Sequence, residues 1–198
     1  KLEENYLIEF GKLDIGKLNW KIDVSETNYK IEIRLKGRGF LTGFYNFEGV
    51  YEASGFLESN NYLPLKYKHV WKTKKKERVV ELLFEKGRIK KIYQMPTEKE
   101  RPRISLMEIE GFLDPLSSFL IILNGGKKVK TIDGRRTYTM VVSDEETKRV
   151  MIKKYKNIWA DHNRKDFKYI EINNTDNNFM PDSLKIKFKG LVFSLSKI

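Results

Sequence analysis

Apolar and polar residues alternate along much of this chain, and a period of two predicts β-strands. The pattern is clearest at residues 18–24 and 29–36, where every second residue is apolar and the residues between them are polar or charged. A polar turn at 26–28 separates these two segments and favours a hairpin. Each strand is therefore expected to have one buried face and one solvated face.

Ten further segments carry an alternating or apolar pattern typical of strands. They lie at 6–10, 63–71, 79–84, 89–93, 128–132, 136–142, 150–156, 167–172, 184–188 and 191–195. In one of them, five residues are expected to share the apolar face: Leu63, Leu65, Tyr67, His69 and Trp71. The pair Asp133-Gly134 between two of the segments is a strong short-range hairpin signal.

One segment predicts a helix. Asp114 can cap its start, Pro115 suits the first helical position, and the apolar run 116–123 ends at Gly125-Gly126. Such a helix is apolar on nearly all sides and must be enclosed, so we place it on the concave side of a curved sheet. The expected fold is mainly β: a strongly curved antiparallel sheet, an open or half barrel of about ten strands, with one principal apolar helix. The aromatic residues of 40–47 fit both the period of two of a strand and the period of about 3.6 of a helix, and they suggest a second, weaker helix.

Composition indicates one domain over residues 1–198, since 40% of the residues are hydrophobic and no linker-like segment divides the chain. The chain has no cysteine, which excludes disulfides and thiolate metal sites. It lacks an apolar run of about 18 residues, so no transmembrane helix is expected. Its first residue is Lys1, without an initiator Met or a signal-peptide core, and we expect a start produced by processing.

Four motifs, in this order and spacing, resemble an uncharacterised exported bacterial family, domain of unknown function 3108, in its alphaproteobacterial form. The motifs are Leu63-Pro64-Leu65-Lys66-Tyr67, the strand-turn-strand 84–89, Asp114-Pro115-Leu116-Ser117, and Asp133-Gly134-Arg135-Arg136-Thr137-Tyr138. The resemblance covers residues 6–195. It implies export and a periplasmic location after removal of a signal peptide, and it carries over no catalytic residue.

The net charge of +12 favours anionic partners. Residues 72–78 are the densest basic segment, and they give five candidates for contact with an anionic surface: Lys72, Lys74, Lys75, Lys76 and Arg78. The alternative interpretation is a solvated hairpin tip. Aromatic residues alternate toward the inner face, whereas nucleic-acid binding would need them exposed among the basic residues, so no nucleic-acid partner is expected.

The concave face of the sheet and the helix supply candidate ligand-binding residues. These are Trp20, Tyr29, Tyr67, His69, Trp71, Leu116, Phe119 and Leu120. An acyl chain could lie among them while the basic rim holds an anionic head. The sequence thus predicts a non-catalytic periplasmic envelope protein that binds or carries a hydrophobic or amphiphilic, anionic lipid-like ligand. Its candidate partners are an anionic lipid, an envelope polymer or an envelope protein.

No residue pattern predicts catalysis, a metal or a cofactor. The chain has two histidines, His69 on an apolar face and His162 in a polar run, and neither has a second metal ligand at a suitable spacing. Ser117 and Ser118 lie at a helix start without a nucleophile elbow, and the glycines of 37–43 lack a phosphate-loop ending. The acidic pairs at 108–110 and 144–146 are of a kind that recurs by chance in a charged chain. Two other functions remain open: an envelope scaffold or protein-interaction domain without a ligand and, more remotely, an envelope hydrolase, which requires polar residues distant in sequence to converge in a pocket.

Overall fold

The computed structural model describes residues 1–37, 46–59, 61–144, 147–159, 165–175 and 179–198. In these residues the chain forms thirteen strands, one α-helix and one short 3-10 helix. The strands are β1 (Leu2–Phe10), β2 (Leu13–Val24), β3 (Asn28–Gly37), β4 (Phe47–Glu58), β5 (Asn61–Thr73), β6 (Glu77–Glu85), β7 (Arg88–Met95), β8 (Lys128–Ile132), β9 (Arg136–Asp144), β10 (Lys148–Asn157), β11 (Phe167–Asn173), β12 (Ser183–Phe188) and β13 (Leu191–Lys197). The helix α1 spans Pro115–Leu123, and the 3-10 helix spans Leu106–Glu108.

All strands belong to one antiparallel sheet in the order β7-β6-β5-β4-β3-β2-β1-β13-β12-β11-β10-β9-β8. Every neighbour follows in sequence except at the centre, where β1 pairs with β13 and the two ends of the chain meet. Within the described residues the edge strands β7 and β8 do not pair with each other, so the sheet is curved but not closed into a barrel. The mainly β, antiparallel architecture is confirmed, and the expected number of about ten strands was too low.

Strand β4 is the element that the alternation did not reveal. Its inward positions include Gly49, Ala53 and Gly55, whose small side chains hide the period of two. The small residues are needed because a Cβ at Gly49 would lie 3.0 Å from the Trp71 ring, and one at Gly55 would lie 2.6 Å from the Tyr29 ring. The helix expected at 40–47 lies mostly outside the described residues, and Phe47 begins β4.

A β-bulge in β5 changes which side chains face inward. Ser54 pairs with Lys66 but Gly55 pairs with Pro64, so Leu65 is the extra residue. Leu65 is consequently 46% exposed, whereas Pro64 and Tyr67 are buried. Its expected place beside Tyr67 on one face was therefore wrong, because an inserted residue reverses the alternation on one side of the bulge.

Helix α1 lies on the concave side of the sheet, as predicted. Asp114 is fully buried and its Oδ1 accepts hydrogen bonds of 3.0 Å from the backbone N–H groups of Leu116 and Ser117. The helix contacts β4, β5 and β8, and Phe119 stacks on Trp20 of β2. Because the helix is buried among strands from both wings, it fills the interior of the curved sheet and shares one core with it.

Candidate functional site

The two ends of the curved sheet differ, and the candidate site lies at one of them. The hairpin turns at 11–12, 74–76, 133–135 and 189–190 lie together at one end, which we call the cleft end. The turns at 25–27 and 86–87 lie at the opposite end. Helix α1 is bonded to residues near the opposite end: Asn124 after the helix donates to Tyr62, and the Lys148 ammonium donates to the carbonyl of Ile122. The interior near the cleft end is therefore left to other residues.

A cleft of about 640 Å³ opens at the cleft end. Its lining is mostly charged and comes from strands and loops far apart in sequence: Arg78, Glu98, Glu100, Arg135, Arg136, Asn157, Trp159, Lys165, Asp166, Lys189 and Gly190. Five of these side chains are basic and three are acidic, an excess of two positive charges. A concave site with convergent cationic side chains is suited to bind an anion.

The turn between β8 and β9 forms one wall of the cleft. The carbonyl of Gly134 accepts hydrogen bonds from Gln94 Nε2 at 3.1 Å and from Trp159 Nε1 at 2.8 Å. Gly134 has φ of +86°, and a Cβ there would be 2.4 Å from the Val80 side chain. Only glycine satisfies both the left-handed backbone and the close approach to β6. These contacts hold the turn, and with it Arg135, against the opposite wing of the sheet.

Arg136, which lines the cleft directly after this turn, forms ion pairs with Asp133 and Asp166. Asp133 Oδ2 lies 3.5 Å from Arg136 Nη1, and Asp166 Oδ2 lies 3.9 Å from Arg136 Nη2. Burial alone would lower the pKa of Arg136, but the Asp133 carboxylate and other neighbours outweigh it, so the pKa is raised. The guanidinium also packs on the rings of Tyr155 and Phe188, with centroids at 5.9 and 5.8 Å. Arg136 is thus charged and fixed in position.

The basic segment 72–78 divides between two environments. Arg78 lies opposite Trp71 on β5 and two residues before the buried Val80 on the same strand. Its side chain is therefore on the inner face, at the cleft mouth. Lys72 is exposed opposite Glu77. The other three predicted surface residues, also exposed, are on the turn: Lys74, Lys75 and Lys76. Only Arg78 of this segment lines the cleft.

His69 and Trp71 lie on the inner face of β5 toward the cleft end. His69 stacks on Tyr51 with ring centroids 4.1 Å apart, and Trp71 stacks on Phe47 at 5.2 Å. Burial, with smaller contributions from the charges of Arg135 and Arg136, lowers the pKa of His69 to about 4. The imidazole is therefore neutral at pH 7, and its buried Nε2 has no hydrogen-bond partner among the described residues.

The other predicted ligand-binding residues belong to the packed core around the helix. Leu116 is partly buried against the core, and five are buried: Trp20, Tyr29, Tyr67, Phe119 and Leu120. Trp20 stacks on Phe119, and the Tyr29 hydroxyl lies 2.7 Å from Ser117 Oγ. The structure therefore brings His69 and Trp71 near the cleft end and places the buried residues against one another, closer to the helix.

Ser117 is buried in a hydrogen-bond network that stabilises the helix start. Its hydroxyl donates to Asp114 Oδ2 at 2.5 Å, and Ser118 Oγ accepts from Thr131 at 2.8 Å. Of the other candidates for chemistry, Glu110 forms an exposed ion pair with Arg88. The candidates at 145–146 and 161–164, with His162, and the glycines at 39 and 43 lie outside the described residues. Among described residues, no group of three or more His, Asp or Glu side chains could hold a metal ion.

Sequence reasoning identified the hairpin at Asp133-Gly134 but did not identify Arg135, Lys165 or Lys189 as site residues. The available signal was the pair of arginines directly after the Asp-Gly turn. Their meeting with Arg78, on another wing of the sheet, depends on the curvature and could not be read from spacing. No helix in the described part of the chain is long and apolar enough to cross a membrane.

These features define a class of protein: a strongly curved, open antiparallel sheet that encloses one apolar helix and has a basic cleft at one end. Residues 5–172 match the family described as Protein of unknown function (DUF3108), and the chain belongs to this family. The crystal structure of a beta-barrel-like protein of domain of unknown function DUF1849 from Brucella abortus has a similar fold. It aligns with a TM-score of 0.53 and 11% identity, over 99% of this chain and 95% of that one. Comparison with curated proteins gives no match.

Proposed function

We propose that this chain is a non-catalytic binding protein of the bacterial envelope that takes up an anionic amphiphile at the cleft end of its sheet. One observation carries the proposal: the cleft end combines a basic cleft with exposed apolar side chains on the neighbouring turns. An amphiphile requires this combination, because its head needs cationic partners and its chain needs apolar surface.

The charge is concentrated at the cleft end. Among the hairpin turns that the structure describes completely, those at the cleft end carry six basic residues and one acidic residue. The turns 25–27 and 86–87 at the opposite end carry one of each sign. This asymmetry orients the cleft end toward an anionic surface, since a basic patch is attracted to negative headgroups.

Apolar side chains are exposed beside these basic turns. Phe10 is 39% exposed, Leu13 is 52% exposed and Leu191 is 44% exposed. Phe10 pairs with Leu13 across the first turn and with Phe193 on β13, while Leu191 pairs with Phe188 across the last turn. The three residues, which we call the apolar rim, therefore lie on adjoining strands at one edge of the cleft end and can contact an acyl chain.

We propose that the apolar part of the ligand also binds at the cleft end. Around the helix, Trp20 and Phe119 fill the space between helix and sheet, with ring centroids 5.8 Å apart. The apolar rim and the inner-face ring of Trp71 are the better candidates for contact with a chain that enters from outside. The proposed periplasmic location follows from the family resemblance, and osmotic-shock fractionation of cells that express the full-length gene tests it.

Association with lipid vesicles tests the proposal. Replacement of Lys74, Lys75 and Lys76 with Gln should reduce sedimentation with anionic vesicles at low salt and change little with neutral vesicles. A matched control with the same loss of charge is Gln at Lys30, Lys86 and Lys128, three exposed residues near the opposite end. Added salt should weaken the electrostatic part, because screening acts over about 8 Å at physiological ionic strength.

A scaffold without a ligand is the second candidate function, and the close packing of helix and sheet favours it. Native mass spectrometry of protein purified from its own envelope separates the two functions. A co-purified lipid that organic extraction removes supports the binding protein. No bound mass, together with no association with anionic vesicles at low salt, supports the scaffold.

A further inference from the structure

The cleft holds more positive charge than its own acidic residues neutralise. The turn 133–135 is fixed by the two hydrogen bonds to Gly134, and Asp133 Oδ1 accepts from the backbone N–H groups of Arg135 and Arg136. The Asp133 and Asp166 carboxylates are engaged by Arg136. They therefore leave Arg135 without an acidic partner in this turn.

Among the described residues, the Arg135 side chain has no ion pair within 4.0 Å, although it is partly buried in the cleft wall. Burial lowers the pKa of Arg135 and the like charges of Arg78 and Arg136 lower it further, while the carboxylates of Glu98 and Asp133 act in the opposite direction with smaller effect. Three guanidinium groups line the same cleft: Arg78 from β6, Arg135 from the β8–β9 turn and Arg136 from the start of β9. Bringing like charges together in a partly desolvated site is unfavourable, and an anion bound beside Arg135, whose side chain has no ion pair with the described residues, would relieve this repulsion.

We propose that this cleft is the binding site for a phosphate monoester group, with Arg135 as its central contact and Arg78 and Arg136 on either side. The inference rests on the proposed function for the amphiphilic nature of the ligand and adds the chemistry of its head. The lining has an excess of two positive charges, or of one when the Asp133 carboxylate paired with Arg136 is counted, so it is suited to an anion such as a phosphate monoester, which carries about −1.5 to −2 at pH 7.

The geometry favours phosphate over a carboxylate head. A guanidinium group binds two oxygens side by side, and a phosphate monoester offers three terminal oxygens that separate guanidinium groups can share. A carboxylate has only two oxygens, which lie in one plane, so it can bridge fewer guanidinium groups at once. Lys165 and Lys189, both exposed at the mouth, add a field that attracts either anion but does not select between them.

Isothermal titration calorimetry with three soluble probes tests the site: dihexanoyl phosphatidic acid below its micelle concentration, inorganic phosphate, and hexanoate. The phosphatidic acid should bind at least tenfold more tightly than hexanoate. Arg135→Gln should weaken binding at least tenfold, whereas Lys86→Gln at the opposite end should change it less than twofold. If Arg135→Gln fails to fold by circular dichroism, Arg78→Gln at the exposed mouth provides the same comparison.

The outcomes separate the site from the proposed function. If inorganic phosphate binds as tightly as phosphatidic acid, the phosphate site is confirmed and its ligand is a free phosphate compound. If phosphatidic acid binds more tightly, the ligand is a lipid headgroup. Phosphate binding without vesicle association upholds the site and contradicts the amphiphile function. Vesicle association with equal affinity for hexanoate and phosphatidic acid, or with no effect of Arg135→Gln, overturns the phosphate site alone.

Discussion

Replacing Asp114 with Asn tests how a buried carboxylate at the helix start affects stability. Asp114 is fully buried, and its Oδ1 accepts both backbone hydrogen bonds from the first turn. An Asn side chain can keep that acceptor oxygen in place, and its amide group can donate to Ser117 Oγ where the carboxylate accepted. The substitution therefore removes the charge and retains the cap.

The buried charge of Asp114 destabilises the folded protein by an amount that depends on pH. Burial raises the pKa of Asp114 from its ordinary value of 3.8 to about 6, against the lowering effect of its hydrogen bonds to Ser117 and Leu116. The folded protein therefore binds the proton more tightly than the unfolded chain does. This contribution to stability is complete below pH 3.8 and is lost as the pH rises through 6. The difference between the two pKa values corresponds to about 3 kcal/mol.

Urea denaturation of the wild type and Asp114→Asn at pH 4, 5, 6 and 7 measures the contribution of Asp114 to the free energy of unfolding. Titratable groups common to both proteins cancel when the two free energies are subtracted. The free energy of unfolding of the wild type, relative to the variant, should fall by about 2 to 3 kcal/mol from pH 4 to pH 7. A difference that does not change with pH would refute the inference that Asp114 titrates in the folded protein. Unaltered m-values are required for the comparison.

Two further pairs of substitutions, each with a matched control, test the packing. Leu120→Ala should cost about 2 to 5 kcal/mol by urea denaturation, because Leu120 is 1% exposed in the helix–sheet core, whereas Leu65→Ala at an exposed bulge should cost less than about 0.5 kcal/mol. An unchanged midpoint for Leu120→Ala would show that the helix is peripheral. Gly134→Ala should cost about 2 to 5 kcal/mol, from a left-handed backbone and a clash with Val80. Gly190 has a similar φ of +79°, but a Cβ there would meet no atom of the described residues within 4 Å. If Gly190→Ala costs as much stability as Gly134→Ala, the clash with Val80 contributes nothing.

Local patterns were sufficient for elements whose inward positions are all large and apolar. The hairpin of β2 and β3 keeps the register expected from alternation, with Trp20 opposite Ile33 and Ile22 opposite Ile31. The helix begins at Pro115 after Asp114, because a cap and a stop act within a few residues. The same reasoning failed in β4, where glycines occupy inward positions, and at Leu65, where a bulge inserts a residue. Both departures from the alternating pattern are caused by contacts with neighbouring strands.

By itself, the sequence determined the strands other than β4, the capped helix, the basic charge and the hairpin that carries Arg135, because each depends on residues close together in the chain. Tertiary structure decided the rest. Only the curvature of the sheet brings Arg78 to Arg135 and Arg136, and only packing directs Trp20 and Phe119 toward each other. A site built from separate strands depends on contacts between residues far apart in sequence. Periodicity, which describes neighbours, contains no information about them.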